Sequence, residues 1–449
     1  MATPLLILLA VGGIAILLFL VIVVRLQAFV ALLIASIVVA ILGGVPLAEI
    51  ATQIQDGMGS TLGYISIVVG LGAMFGELLQ LSGGAERIAR TMLNRFGESR
   101  AQWALGITGL IVSTPVFFDV ALILFIPLVY SLAKRTKTSL LYYGVPLIAG
   151  MAVAHAFIPP TPGPVAVASI LNADLGWVIM IGVIAGIPAT AIGGVYFGKL
   201  LASRIDIKVP AYMERETPIP TDEKELPSFG LVMTIILLPL VLILANTVAT
   251  IQLEEGSGLR DLLAFLGHPF IALIIATLFS FYSLGTLRGY TREDILKIAT
   301  KSMEPVGLII LVTGAGGVFG KVLIATGVGT ALANAMAASN LPVVLLAFLI
   351  ALVLRVSQGS ATVAIVTSAG LIGPVIVGFN YSPPLIACIT IAIASGATML
   401  SHVNDSGFWL VNRYFGMTEK DTIRVWTLVS SVVGFIGLIV ALIMSLFFS

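Results

Sequence analysis

The stretch Ser113-Thr114-Pro115-Val116-Phe117-Phe118-Asp119-Val120-Ala121-Leu122 lies inside an apolar run, Trp103 to Ala133, that should hold neither a helix breaker nor a charge. Proline lacks the amide hydrogen and its ring clashes with the preceding turn, so Ser113-Thr114-Pro115 interrupts a helix. A carboxylate at the bilayer centre costs about 2.5–3.5 kcal/mol or more, so Asp119 needs a reason to be there. The run is about 31 residues long. One crossing takes about 20, so the run is too long for one span and too short for two. Two half-length helices meeting at a polar tip fit it. Such a re-entrant hairpin is tolerated in lipid only where its irregular tip lines a cavity.

The surrounding chain has the composition of a polytopic membrane protein: 59% of its 449 residues are hydrophobic and 10% charged. The near-zero net charge of +1 gives no sign of a nucleic-acid partner, and the 23 basic residues instead encode topology. One cysteine, Cys388, and three histidines without metal-ligand spacing leave no disulfide and no metal or cofactor site to expect. No phosphate-binding Gly-rich loop is present, which argues against an ATP-driven pump. Pro4 to Val24 lacks a preceding basic region and is expected to be a retained first helix.

Positive charge orients the spans. Arg87, Arg90, Arg95 and Arg100 precede the first hairpin and Lys134, Arg135 and Lys137 follow it, so it enters and leaves on the cytoplasmic side. Gly43 to Gly59 is expected as a loop before a span starting near Thr61. Arg204 to Pro227 is expected as a cytoplasmic linker. The second half then repeats the first: Gly72, Phe75, Gly76, Leu79, Gly83 and Ala89 recur 244 positions later as Gly316, Phe319, Gly320, Leu323, Gly327 and Ala333. The counterparts of the two basic loops carry no Lys or Arg, so the second hairpin, Leu346 to Val377, should open to the outside.

The expected fold is therefore an all-α polytopic membrane protein, with about ten transmembrane crossings plus two opposed re-entrant helical hairpins in inverted repeats. Residues 1–59 and 201–303 would supply scaffold helices and the linker. Residues 60–200 would form the first repeat, with its hairpin at 103–133, and 304–449 the second, with its hairpin at 346–377. Both termini would lie outside.

Four interrupted stretches should converge near the midplane: STPVFFD (113–119), PPTPGP (159–164), SQGSAT (357–362) and SHVNDSG (401–407). They offer hydroxyls, amides and half-helix N-termini whose partial positive charge suits an anion. Asp119, beside Phe117 and Phe118, is a proton carrier or a hairpin-tip cap. Asp405 is a ligand or the cap of the half-helix that follows it. His155 and His402 abut two interruptions and serve structure or donate to a substrate oxygen. Arg355 is a counter-ion or an anchor for the hairpin.

These residues resemble the gluconate permease (GntP) family of bacterial proton symporters over nearly the whole chain. The resemblance rests on LGAMFGELL (71–79), SGGAERIA (82–89), FFDVALILFIPLV (117–129), HAFIPPTPGPVAVASILNADLG (155–176), LRVSQGSATVA (354–364) and SHVNDSGFWLVNRYF (401–415). It implies an inner-membrane carrier and not an enzyme, moving a small organic anion such as gluconate by elevator motion of its hairpins, commonly as a homodimer. Ser113, Thr114, Ser360 and Thr362, with backbone amides near Gly163 and Gly359, would hold the carboxylate. Thr161, Gln358, Asn404 and Asp405 would meet the hydroxyls, with His155, His402, Ser357 and Arg355 as further candidates. Asp119 would couple the proton. Five positions depart from the family's pattern: Asp119 stands where many members have Glu, and Thr161 where a His is frequent. Ser406 replaces a Pro, and Ser357-Gln358 replace small apolar residues. The alternatives are a sodium-coupled carrier using Asn404 and hairpin carbonyls, D-glycerate or D-serine as substrate, a membrane-embedded enzyme using a histidine with Asp405, and a channel.

Overall fold

The computed structural model describes residues 3–210, 225–304, 306–328, 331, 341–377, 379–403 and 405–448. Among them every regular element is helical. The first half runs α1 (Thr3–Leu18), α2 (Ala28–Leu42), α3 (Leu47–Leu81), α4 (Gly84–Phe96), α5 (Ala101–Val112), α6 (Phe118–Thr136), α7 (Leu141–Phe157), α8 (Pro162–Leu171), α9 (Leu175–Ala189) and α10 (Phe197–Arg204). Then come α11 (Phe229–Gln252), α12 (Gly258–Leu266), α13 (Pro269–Ser280), α14 (Arg292–Lys301) and α15 (Val306–Ala325). The second half closes with α16 (Val343–Gln358), α17 (Ala361–Val377), α18 (Pro383–Thr398), α19 (Ser406–Phe415), α20 (Glu419–Thr422) and α21 (Leu428–Ser445).

Among the described residues eight stretches, several of them joining consecutive elements as α7 and α8 do, are long and apolar enough to cross a membrane; α2 and α18, which also count among the expected crossings, are shorter. One expectation fails outright. Gly43 to Gly59 is not a loop, because α3 starts at Leu47 and runs 35 residues. At about 1.5 Å per residue that is roughly 50 Å, well beyond the hydrocarbon core. Glu49 and Asp56 sit on its projecting turns, and nothing in that stretch breaks a helix. Most of the linker, 211–224, lies outside the described residues.

Large apolar side chains face outward as well as inward, for example Leu47, Ile187, Val241, Leu278 and Phe435. In lipid such faces provide no drive for helices to associate, so the contacts fall to small residues that let backbones approach. A β-carbon on Gly57 would strike the backbone of Val318, fixing α3 on α15. Gly109 and Gly150 do the same for α5 on α7, and Gly396 for α18 on α16. Thus α5 packs on α7 as α16 packs on α18. Each of these pairs places an interrupted helix at the molecular centre.

The interruptions have local causes. The α5–α6 break holds Thr114-Pro115, and the Thr114 hydroxyl donates back to the Leu110 carbonyl at 3.0 Å. Between α7 and α8 lies the cis Pro159–Pro160 bond. The α16–α17 break turns on Gly359, whose φ of +76° suits a residue without a side chain. After α18 the chain turns at Leu400, whose φ is +52°, and Asp405 caps α19, accepting from the Gly407 amide at 3.1 Å.

Candidate functional site

A cavity of about 320 Å³ is lined from three of the four interruptions and from the last turns of α7; the Pro159–Pro164 interruption expected to join them does not line it. Phe117 to Val120 come from the start of α6, and His155 from the end of α7. Arg355, Ser360 and Thr362 flank the α16–α17 break, and Asp405, Ser406 and Gly407 open α19. The volume sits at the small end of the usual range for ligand sites, about 300–1,000 Å³.

Its centre is an ion pair. Arg355 and Asp405 are both buried, and one guanidinium nitrogen, Nη2, donates to Asp405 Oδ2. The other, Nη1, donates to the Gly359 carbonyl at 2.5 Å, so the arginine ties the hairpin tip to the head of α19. Its Nε is buried without a hydrogen-bond partner. Asp405 also accepts from the Ser401 hydroxyl, which in turn accepts from Trp426 Nε1 at 2.7 Å. Asp405 therefore caps α19 and lines the cavity as well. Arg355 is a buried ion-pair partner within the protein and not a snorkelling anchor.

Asp119, in the first turn of α6, is exposed, and it lines the cavity within electrostatic reach of Asp405. His155 also feels the Asp405 charge, and its Nδ1 is buried without a partner. The aromatic walls are paired: Phe117 lies 6.5 Å from the His155 ring, and Phe118 lies 5.5 Å from Trp426.

The other expected site residues lie elsewhere. Thr114 and Thr161 line a smaller void beside α3, and the Thr161 hydroxyl donates to the Ile158 carbonyl at 2.6 Å. Ser113 Oγ and both polar atoms of the Gln358 side chain are buried without partners, outside the cavity lining. Gly163 packs against Ile365, and Gly359 contributes its carbonyl to Arg355. The Ser357 hydroxyl donates to Val353 of its own helix. His402 is half-buried, with Nδ1 at 2.8 Å from the Leu400 carbonyl. Asn404 lies outside the described residues. The sequence reading did not single out Trp426, because an indole in an apolar helix carries no local sign of what it bonds. Ser401 stood in a quoted motif without a role. Among the described residues no group of three or more His, Cys, Asp or Glu could hold a metal ion.

Two solved transporters are similar in fold. The Alcanivorax borkumensis YdaH transporter has a TM-score of 0.62 at 13% identity, with 90% of this chain and 89% of that one covered. Neisseria gonorrhoeae MtrF, described with a class of antimetabolite efflux pumps, has a TM-score of 0.66 at 13% identity over 92% of this chain and 94% of its own. In sequence, the low-affinity gluconate transporter of Escherichia coli K12 is 42% identical over 99% of both chains. The L-idonate transporter of the same strain is 37% identical, with 95% of this chain and 96% of its own covered. The Pseudomonas aeruginosa gluconate permease is 36% identical over 94% of this chain and 93% of its own. Residues 4–447 match the GntP family permease description, and across that length the chain belongs to this family of permeases.

Proposed function

We propose that this protein imports gluconate or a closely related sugar acid across a bacterial inner membrane by proton symport. The observation that carries the reading is the cavity itself. One buried guanidinium, two carboxylates and the hydroxyls of Ser360, Thr362 and Ser406 meet beside three helix interruptions and the end of α7. That set suits an anion that also bears hydroxyl groups, and relatives named for gluconate and L-idonate point to the same class. Arg355 meets the carboxylate, while Ser360, Thr362 and Ser406 meet the hydroxyls. Asp119, the carboxylate open to water, accepts the entering proton.

The inverted repeats, the two re-entrant hairpins and an elevator motion, in a homodimer with both termini outside, complete the proposal. A broken symmetry supports it. Gly320 of α15 faces Gly370 in the body of α17, whereas its counterpart Gly76 of α3 faces Pro115 at the break before α6. A carrier built from repeats alternates access when the two exchange such unequal arrangements.

The test is uptake of labelled gluconate into proteoliposomes under an imposed pH gradient, competed by D-glycerate, fructuronate and D-serine. Accumulation that follows the pH gradient, collapses with a protonophore and is blocked by unlabelled gluconate supports the reading. Uptake driven by a sodium gradient and indifferent to pH would sink it.

A further inference from the structure

We propose that the substrate's carboxylate and the Asp405 carboxylate compete for one edge of the Arg355 guanidinium, and that a proton on Asp405 hands the edge over. This rests on the sugar-acid symport reading above. It adds the group on which proton and substrate exchange.

The geometry of Arg355 carries it. A guanidinium pairs side-on with a carboxylate through Nε and the Nη on the same edge, which is Nη2. Asp405 holds only Nη2, and Nε is buried without a hydrogen-bond partner, on a residue that lines the cavity. Nη1 is engaged separately by the Gly359 carbonyl, so the guanidinium keeps its position when its other edge changes partner. A buried donor left unpaired is costly unless something fills it. A carboxylate in the cavity fills it and takes Nη2 at the same time.

Charge then enforces coupling. In the empty protein Arg355 and Asp405 cancel. When a proton adds to Asp405 and an anion pairs with Arg355, one positive and one negative charge have entered and the site is again matched. The half-loaded forms are not. Substrate alone sets two carboxylates on one guanidinium, and a proton alone strands a buried cation; both are disfavoured where water is scarce. Protonated Asp405 keeps its place, because Oδ1 still accepts from the Gly407 amide and caps α19. The groups facing it are Arg355 from α16, Asp119 from α6, His155 from α7, and the Ser401–Trp426 pair. Of these, only Arg355 forms an ion pair with it among the described residues. Asp119, exposed in the same cavity, serves as the route by which the proton arrives.

The experiment is equilibrium binding of labelled gluconate to the purified full-length protein as a function of pH. One proton bound with each gluconate requires the wild-type Kd to rise about tenfold per pH unit once Asp405 ionises in the empty site. Asp405→Asn, which keeps the size and cap of the residue, should bind with a Kd that changes less than about twofold over the same range. Arg355→Gln/Asp405→Asn removes both charges together, leaves no buried charge uncompensated and should fold yet fail to bind. A wild-type slope that persists in Asp405→Asn, or gluconate binding by the double variant at wild-type affinity, overturns the proposal alone. Absence of gluconate binding by the wild type at every pH overturns the functional reading and this proposal with it.

Discussion

Arg355 and Asp405 are fifty positions apart in the chain and share one hydrogen bond at the centre of the molecule. Asp119 differs from Asp405 in exposure, and the two carboxylates should separate experimentally. If Asp119 delivers the proton and Asp405 holds it, Asp119→Asn slows proton-driven uptake about a hundredfold or more, the effect of a lost proton-transfer group. The pH slope of gluconate binding stays, and stopped-flow uptake beside equilibrium binding reads the two effects. Trp426 acts one bond further out. Trp426→Phe keeps a ring against Phe118 but removes the donor to Ser401. A lost neutral hydrogen bond of this kind lowers stability by about 0.5–1.5 kcal/mol. Melting in detergent should show that loss, with a severalfold weaker gluconate affinity as the Ser401–Asp405 contact loosens.

At the scale of elements, the four interruptions do different work. The α18–α19 and α16–α17 breaks supply the charged pair, the first from a cap and the second from the turn before Gly359. The α5–α6 break supplies Asp119 and two aromatic walls, and α7 supplies His155. Gly359 is the position where backbone conformation and chemistry meet, because its left-handed φ aims its carbonyl at Arg355. A side chain in that conformation costs about 1–2 kcal/mol. Gly359→Ala should lower the melting temperature accordingly and reduce uptake more than it reduces stability, since the guanidinium loses its fixed end. Uptake equal to wild type in a fully folded Gly359→Ala protein would show that the turn is scaffolding only.

The whole molecule is tested by sidedness. The single native cysteine, Cys388, is buried and gives little background to a membrane-impermeant thiol reagent. If α5 and α6 form a re-entrant hairpin, Arg100→Cys and Lys134→Cys are labelled from the same, cytoplasmic side. Leu341→Cys and Asn380→Cys, which flank α16 and α17, are labelled from the opposite side. Labelling of Arg100→Cys and Lys134→Cys from opposite faces would make α5 and α6 a crossing and remove the inverted-repeat layout. The 35 residues of α3 are the counterexample to reading topology by composition alone. Its acidic first turns are polar enough to pass for a loop, yet without proline or paired glycines the helix continues through them.

Apart from the start of α3, the sequence alone determined where the apolar helices form and where they are interrupted, and it carries a pattern in its first half that recurs in its second. Apolar run length, proline and glycine act within a turn or two of chain, and their effects are written where they stand. It also placed Asp119, His155, Arg355, Ser360, Thr362 and Asp405 beside those interruptions, and the cavity brings these six together. Only the tertiary structure decided that Thr161, Ser357 and His402 turn to their own backbone, that Trp426 braces Ser401, and that Arg355 pairs with Asp405. Those outcomes depend on how far each helix is rotated and slid against its neighbours. Contacts such as Gly109 on Leu147 and Gly396 on Phe348 set that rotation, and they join residues tens of positions apart that no local pattern links.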